Sequence, residues 1–365
     1  MIRQFIDPAN FQVLMIVPRR GVETHREAVH TFLNHYEAMS DGCYSMYGAF
    51  ASAMSMTLPG YDSQANLRRA GLALKKWCAM PCPQTSGGFA PWLWAGLTVI
   101  VFAHCELGST ATPVRRCILG HLKCLGEAGR GMRKHTLILS LTTLDIFEGL
   151  LYRMVPLLNI DEADVVGLDS FPGLAAQLIQ FMSELCEVNY ADPTVSNSID
   201  AGLAWHDRLQ ELESRVETWQ PEIPPESIKT YAAIDATHIL TRTRVHKTAI
   251  LLYIHRLKHS FGHEDSKARS LASSIISDLK LATATTQAAP PWVSLPFTFA
   301  AIEATDLQAR GDLLGDVDVY VNSLSPVARQ MTKTFLEALW AVRDSLGEFR
   351  WVDMMDSLPR ICVYI

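Results

Sequence analysis

Helical periodicity is the sequence feature that most constrains the fold of this chain. Apolar residues recur every three to four positions in five long segments, residues 23–39, 134–155, 172–190, 199–219 and 226–261. This spacing places them on one stripe of an α-helix, whereas a half-buried β-strand needs sustained alternation, which we do not find. No low-complexity linker interrupts the series. The sequence therefore predicts an all-α fold, a single large multi-helix bundle domain over residues 1–365.

The composition indicates a large buried core and argues against a basic surface for nucleic acid. Hydrophobic residues make up 48% and charged residues 19% of the 365 residues, as in ordinary globular proteins. The net charge is −6, and no block of Lys and Arg offers a basic arm. The apolar run at 89–103 is shorter than the roughly 20 residues that cross a bilayer. We expect no direct nucleic-acid binding, no membrane span, and a nuclear or cytoplasmic location.

The eight cysteines do not form a metal-binding pattern. No Cys-x-x-Cys pair occurs, and the pairs Cys78–Cys82 and Cys117–Cys124 lack companions at metal-site spacing. We therefore predict mostly buried thiols in a reducing compartment, with no metal and no cofactor.

An apolar stripe with polar interruptions runs along the predicted helix that follows the prolines at 221–225. The stripe is formed by Ile239, Ile250, Tyr253 and Leu257. At 100° per residue, Asp235, Arg242 and His246 lie near its centre. Buried charge is costly without partners, and Arg242 and His246 are one turn apart, so their side chains can converge.

Two interpretations of this polar face stay open. In the functional one it forms the floor of an apolar ligand pocket, where Arg242 binds a carboxylate, phenolate or enolate oxygen and His246 exchanges a proton. In the structural one, Arg242 pairs with a carboxylate on a neighbouring helix, and Glu148 is the candidate partner. Asp235, Tyr253 and Glu148 complete the predicted ligand-binding set. If the chain is an enzyme, we predict His246, Arg242 and Glu148 as its catalytic residues.

Three histidines later in the same helix have a spacing that could suit a metal. His255, His259 and His263 are four residues apart, on the side opposite the apolar stripe. No carboxylate or cysteine joins them at ligand spacing, so we interpret them as a solvated face.

The C-terminal third carries an ordered series of short aromatic and charged motifs. Its members are Tyr253 and Arg256; Trp292, Pro296, Phe297, Glu303 and Ala304; Trp340, Arg343 and Asp344; and Trp351 and Met355. With His35-Tyr36 near the start, this order resembles the fungal-specific transcription factor domain, the helical regulatory region of zinc binuclear-cluster transcription factors.

The resemblance implies an all-helical effector domain that often dimerises, with some members binding small hydrophobic ligands and none sharing catalytic residues. The printed sequence lacks the family's cysteine-rich zinc cluster. We therefore predict a transcription-regulator-like effector or ligand-sensing module without its own DNA-binding cluster, acting in secondary metabolism. Its expected partners are a small apolar metabolite and a second copy of the chain or a partner regulator.

Two alternatives to this prediction stay open. One is an enzyme evolved from the same scaffold, which catalyses proton transfer, isomerisation or cyclisation in a pocket between helices. The other is a regulator whose zinc cluster was lost or lies in an upstream segment outside this chain.

Overall fold

The chain folds into helices in every part that the structure describes. A computed structural model describes residues 63–83, 86–109, 111–126, 136–160, 176–192, 199–221, 231–321 and 325–361. These ranges contain eleven α-helices and one 3₁₀ turn, and no strand, which confirms the all-α prediction. The predicted helix at 23–39 and His35-Tyr36 lie outside the described residues.

The helices divide between two compact units. Among the described residues, those up to Leu141 form the first unit and those from Thr142 onward form the second. The division falls within one helix, α4. The expectation of a single domain over 1–365 stays a prediction.

The first unit is built from three helices and the start of a fourth. They are α1 (Ser63–Ala79), α2 (Ser86–Leu107), α3 (Thr112–Cys124) and the first turns of α4 (Thr136–Tyr152). The indole rings of Trp77 and Trp92 stack at 5.1 Å, which joins α1 to α2. Gly96 of α2 allows α3 to pack closely as well, because a Cβ there would lie 2.7 Å from the Ile118 side chain of α3.

The long apolar run at 89–103 lies inside α2, and its residues Phe89, Trp92, Leu93 and Phe102 are buried. Among the helices of the described residues, none combines the length and apolarity needed to cross a membrane.

The second unit surrounds one long helix, α7. It contains the rest of α4, followed by α5 (Ala176–Tyr190), α6 (Ile199–Thr218), α7 (Ala233–Lys258), α8 (Asp265–Thr286), α9 (Ser294–Ile302), α10 (Leu307–Tyr320), α11 (Pro326–Leu346) and the 3₁₀ turn Trp351–Asp353. The helices α5, α6, α8 and α9 make the most extensive contacts with α7. All nine residues of α9 are buried, because this short apolar helix lies between α7, α8 and α11.

Three arginines hold the C-terminal end of α9. The guanidinium of Arg256 donates to both carboxylate oxygens of Glu303, at 2.9 and 2.6 Å, and both side chains are almost completely buried. Arg343 donates to the backbone carbonyls of Ile302 and Ala304, and Arg310 also donates to Ala304. The carbonyls at a helix end lack intrahelical partners, so these side chains satisfy them.

A ring of four charges fixes the C-terminal segment. The buried carboxylate of Asp192 accepts from Arg153 at 2.5 Å and lies 2.9 Å from Arg350. Asp353 closes the ring, since it also accepts from both arginines. Farther along, the Tyr152 hydroxyl binds both the backbone N–H and the carbonyl of Ile361.

Candidate ligand-binding site

The candidate site lies in the middle of α7, where Arg242 and His246 are both buried. Only 5% of Arg242 and 2% of His246 is exposed to solvent. Residues four apart lie on the same side of an α-helix, which explains why the two side chains share one face. The structure thus brings together the two residues that the sequence analysis singled out first.

Arg242 packs against an aromatic ring. Its guanidinium carbon lies 4.5 Å from the centre of the Trp292 ring, a geometry that favours a cation–π interaction. Burial lowers the pKa of Arg242 to about 10, so the side chain still carries its charge at neutral pH. A buried cation on an aromatic face suits an anionic oxygen as ligand.

Trp292 reaches this position through an unusual backbone conformation. Its φ is +63°, in the left-handed region that large side chains rarely adopt. It follows Pro290 and Pro291 in the connection between α8 and α9, where prolines restrict the chain. Backbone strain of this kind costs on the order of 1–3 kcal/mol and persists where the surroundings impose it. The half-buried ring touches both Arg242 and solvent.

His246 is held as a neutral imidazole with one nitrogen in use. Nδ1 lies 2.9 Å from the carbonyl oxygen of Arg242, so Nδ1 is the protonated donor in this hydrogen bond. Burial lowers the pKa of His246 to about 4, and the Arg242 charge adds to that effect. The ring stacks on Phe147 of α4 at 5.8 Å.

The other nitrogen of His246 is an acceptor that is not used. Among the described residues, Nε2 of His246 has no hydrogen-bond partner, although it is fully buried. A neutral imidazole with Nδ1 protonated presents a lone pair at Nε2. Such an acceptor can bind a hydroxyl or N–H donor, but a pKa of about 4 makes it a weak base near neutral pH.

The remaining predicted ligand-binding residues are placed as follows. Glu148 is buried and directly follows Phe147 in α4, and its pairing with Arg242 stays a prediction. Asp235 is half-buried in the first turn of α7, two turns before Arg242. The helix dipole stabilises a carboxylate at this position.

Tyr253 lies farther along α7, and its hydroxyl is used by the core. It donates to the carbonyl of Leu150 at 2.5 Å and accepts from Asn189 at 2.7 Å. Burial raises the pKa of Tyr253 well above its ordinary value. Its ring stacks on Phe299 of α9. The structure therefore gives Tyr253 a role in packing α7 against its neighbours.

Two expectations from the sequence are wrong. His255 does not lie on a solvated face: it is 2% exposed and its Nε2 lies 3.1 Å from the carbonyl of Glu264, because the start of α8 covers it. The thiols are not mostly buried either. Of the five described cysteines only Cys186 is buried, and Cys78, Cys82, Cys117 and Cys124 are exposed. Within the described residues, no three His, Cys, Asp or Glu side chains form a group that could hold a metal ion.

The C-terminal motifs define the frame around α9. Arg256 pairs with Glu303, the Trp340 indole donates to the carbonyl of Ala301, and Arg343 binds the last carbonyls of the helix. Tyr253 and Trp351 contact Phe299 in the same helix. These contacts give the motif residues a structural role, because they hold α9 in place. Arg242 and His246 make none of these contacts.

Arg256 and Glu303 belong to separate motifs of the sequence, and nothing in the sequence indicates that they pair. Helix spacing offers no signal for the pair, because the two residues lie on different helices and 47 positions apart.

The all-helical fold agrees with what the resemblance in the sequence implies. A family model described as the fungal specific transcription factor domain matches residues 97–364. The chain belongs to the fungal specific transcription factor domain family, which confirms the resemblance seen in the sequence. This membership supports a transcription-regulator-like role. Comparisons with curated proteins and with solved structures gave no match.

Proposed function

We propose that this chain is the effector module of a fungal transcriptional regulator and that it senses a small, largely apolar metabolite. Family membership supports the regulatory role. The single observation that supports sensing is the buried pair of a charged Arg242 and a neutral His246 with an unused acceptor. Natural cores satisfy most buried polar atoms, so an unsatisfied one in a polar pair needs an explanation.

The chemistry of the two side chains suggests the class of ligand. Arg242 offers a cation for a carboxylate, phenolate or enolate oxygen. His246 Nε2 offers an acceptor for a neighbouring hydroxyl or N–H. Phe147 and Trp292 add aromatic surface on either side. An apolar molecule with an acidic oxygen beside a hydroxyl, of the kind that secondary metabolism supplies, fits this combination.

Trp292 connects the proposed site to the rest of the second unit. Its ring contacts Arg242, while its backbone leads directly into α9, the helix that the arginines of the motif frame hold. A ligand that displaces the ring therefore acts on the strained turn before α9. In this proposal the signal passes to a homodimer surface or a partner regulator in the nucleus.

A tethered reporter tests the regulatory role. The full chain is fused to a heterologous DNA-binding domain, and transcription from its target site is measured with and without fractions of a fungal metabolite extract. We expect at least one fraction to change reporter output by severalfold in the wild type, and not in Arg242→Met. Arg244→Met is the matched control, since Arg244 lies two residues away on α7 and is exposed. Constant output with every fraction would contradict sensing.

Self-association is measured separately. Sedimentation of the purified chain at micromolar concentration is expected to show a dimer. A monomer at all concentrations would contradict the homodimer surface and leave a partner regulator as the proposed recipient of the signal.

The enzymatic alternative gains no support. The family match supports a regulatory role, and the low pKa of His246 makes it a poor proton acceptor at neutral pH.

A further inference from the structure

Three exposed thiols lie at one edge of the first unit. Cys78 is in the last turn of α1, Cys82 is in the loop that follows, and Cys117 is on α3. The sequence showed only isolated pairs, because the contact between the loop and α3 arises in the fold.

A hydrogen bond brings the loop to α3. His121 Nε2 lies 2.7 Å from the carbonyl oxygen of Pro83, the residue directly after Cys82. His121 is four positions after Cys117, so both lie on the same face of α3, one turn apart. Cys82 is therefore next to the turn that carries Cys117.

Aromatic packing keeps this arrangement in place. The His121 ring contacts Phe89 and Trp92 of α2, with ring centres 6.2 and 5.3 Å apart, and Trp92 stacks on Trp77 at the end of α1. Pro81 and Pro83 restrict the backbone on both sides of Cys82. The loop is thus restrained beside α3 before any covalent bond forms.

The thiols also influence each other electrostatically. Burial raises the pKa of the Cys117 thiol, and the neighbouring Cys82 and Cys78 raise it further. A raised pKa lowers the thiolate fraction of Cys117, which slows its attack on an oxidant. We therefore assign Cys82, which is exposed in the loop, as the first nucleophile and Cys117 as the resolving thiol.

We propose that Cys82 and Cys117 form a peroxide-sensitive dithiol that closes to a disulfide within one chain. The Cys82 thiolate attacks hydrogen peroxide: an S–O bond forms, the O–O bond breaks, and hydroxide leaves and takes up a proton as water. The Cys117 thiol loses its proton and its thiolate attacks the sulfur of the sulfenic acid: the S–S bond forms, the S–O bond breaks, and hydroxide leaves and takes up that proton as a second water. Two thiols are oxidised and one peroxide is reduced.

The disulfide would close a loop that contains all of α2. A cross-link across such a loop restricts the unfolded chain and so raises the thermal midpoint of the unit that contains it. Peroxide would thereby change the stability of the first unit without involving Arg242 or His246 of the second unit.

Peptide mapping tests the assignment. The reduced full-length chain is treated with stoichiometric hydrogen peroxide, remaining thiols are alkylated, and the non-reduced digest is read by mass spectrometry. We expect one dominant cross-link, Cys82–Cys117, which a thiol reductant reverses and which raises the midpoint by several degrees. Cys82→Ser and Cys117→Ser should each abolish the cross-link and the rise, with folding checked by circular dichroism.

Matched variants complete the test. Cys124→Ser and Cys78→Ser change other exposed thiols of the same unit, and each should leave the Cys82–Cys117 cross-link in place. A dominant cross-link through any other cysteine, covalent dimers, or singly oxidised thiols without a disulfide would overturn the proposal.

Discussion

At His246, burial decides what an imidazole can do. With a pKa of about 4, the side chain is neutral in the folded protein, while an exposed histidine in the unfolded chain titrates near 6.5. Above pH 6.5 both states are neutral. As the pH falls below 6.5, the unfolded state takes up a proton that the folded state does not, and the free energy of unfolding falls until about pH 4.

This linkage predicts a specific change for His246→Phe. The variant keeps an aromatic ring beside Phe147 but removes the titrating group. We expect the wild type to lose about 2 kcal/mol more unfolding free energy than the variant between pH 7.5 and 5. Urea unfolding at a series of pH values measures it. Identical slopes for His246→Phe and wild type would contradict the burial of a neutral imidazole.

The buried pair of Arg256 and Glu303 is the second feature at the residue scale. Burial disfavours the charged guanidinium, but the hydrogen bonds to Glu303 and Asp265 outweigh it and raise the pKa of Arg256. Removing one partner leaves a charge in the core, so Glu303→Ala should cost about 3–5 kcal/mol of unfolding free energy.

The chain offers a matched control for this variant. Glu184 also accepts two hydrogen bonds from one guanidinium, that of Arg215, but both side chains are exposed. We expect Glu184→Ala to cost about 1 kcal/mol or less in the same denaturant titration. Equal costs at the two sites would show that burial does not set the strength of the Arg256–Glu303 contact.

At the scale of elements, the C-terminal segment is held to α4 by a single hydroxyl as well as by charges. Tyr152→Phe removes both hydrogen bonds to Ile361 and keeps the ring that Arg360 stacks on. We predict a loss of about 1–2 kcal/mol and faster amide exchange around 359–361. Hydrogen exchange read by mass spectrometry checks this. Tyr190→Phe, at an exposed tyrosine, should leave the exchange of that segment unchanged.

Periodicity predicts where the helices lie better than it predicts which residues of other elements contact them. The segments at 134–155 and 226–261 contain α4 and α7, whose ends differ by two to seven residues, because the repeat of apolar positions reports which face is buried. The pairing of Arg242 with His246 could be predicted for the same reason, since both lie on one helix. Trp292 could not be placed over Arg242, because its position depends on the connection between α8 and α9.

The wrong expectations have the same origin. Helix spacing predicts a solvated face for His255, but the chain that leads into α8 covers it. The usual burial of thiols predicts cysteines inside the core, yet four described ones lie on exposed helix faces or in a loop of the first unit. Both cases depend on which other segments cover a helix face, and a single sequence does not show that.

At the scale of the whole molecule, the contacts around α9 and the candidate ligand site have different roles. The motif frame around α9 explains why the chain folds as a member of its family. Arg242 and His246 are outside that frame and, together with Trp292, carry the chemistry that we assign to ligand sensing. Variation of this site between otherwise similar folds would allow different ligands to act on one regulatory scaffold.

The most direct test of the account is native mass spectrometry of the purified full chain after incubation with a fungal metabolite extract. We predict that the wild type and Arg244→Met retain the same compound at about one per chain, and that Arg242→Met and His246→Phe lose it while remaining folded. The compound should carry an acidic oxygen. Retention of that compound by Arg242→Met, or no retained compound in the wild type, would contradict the claim that this buried pair is a sensor site.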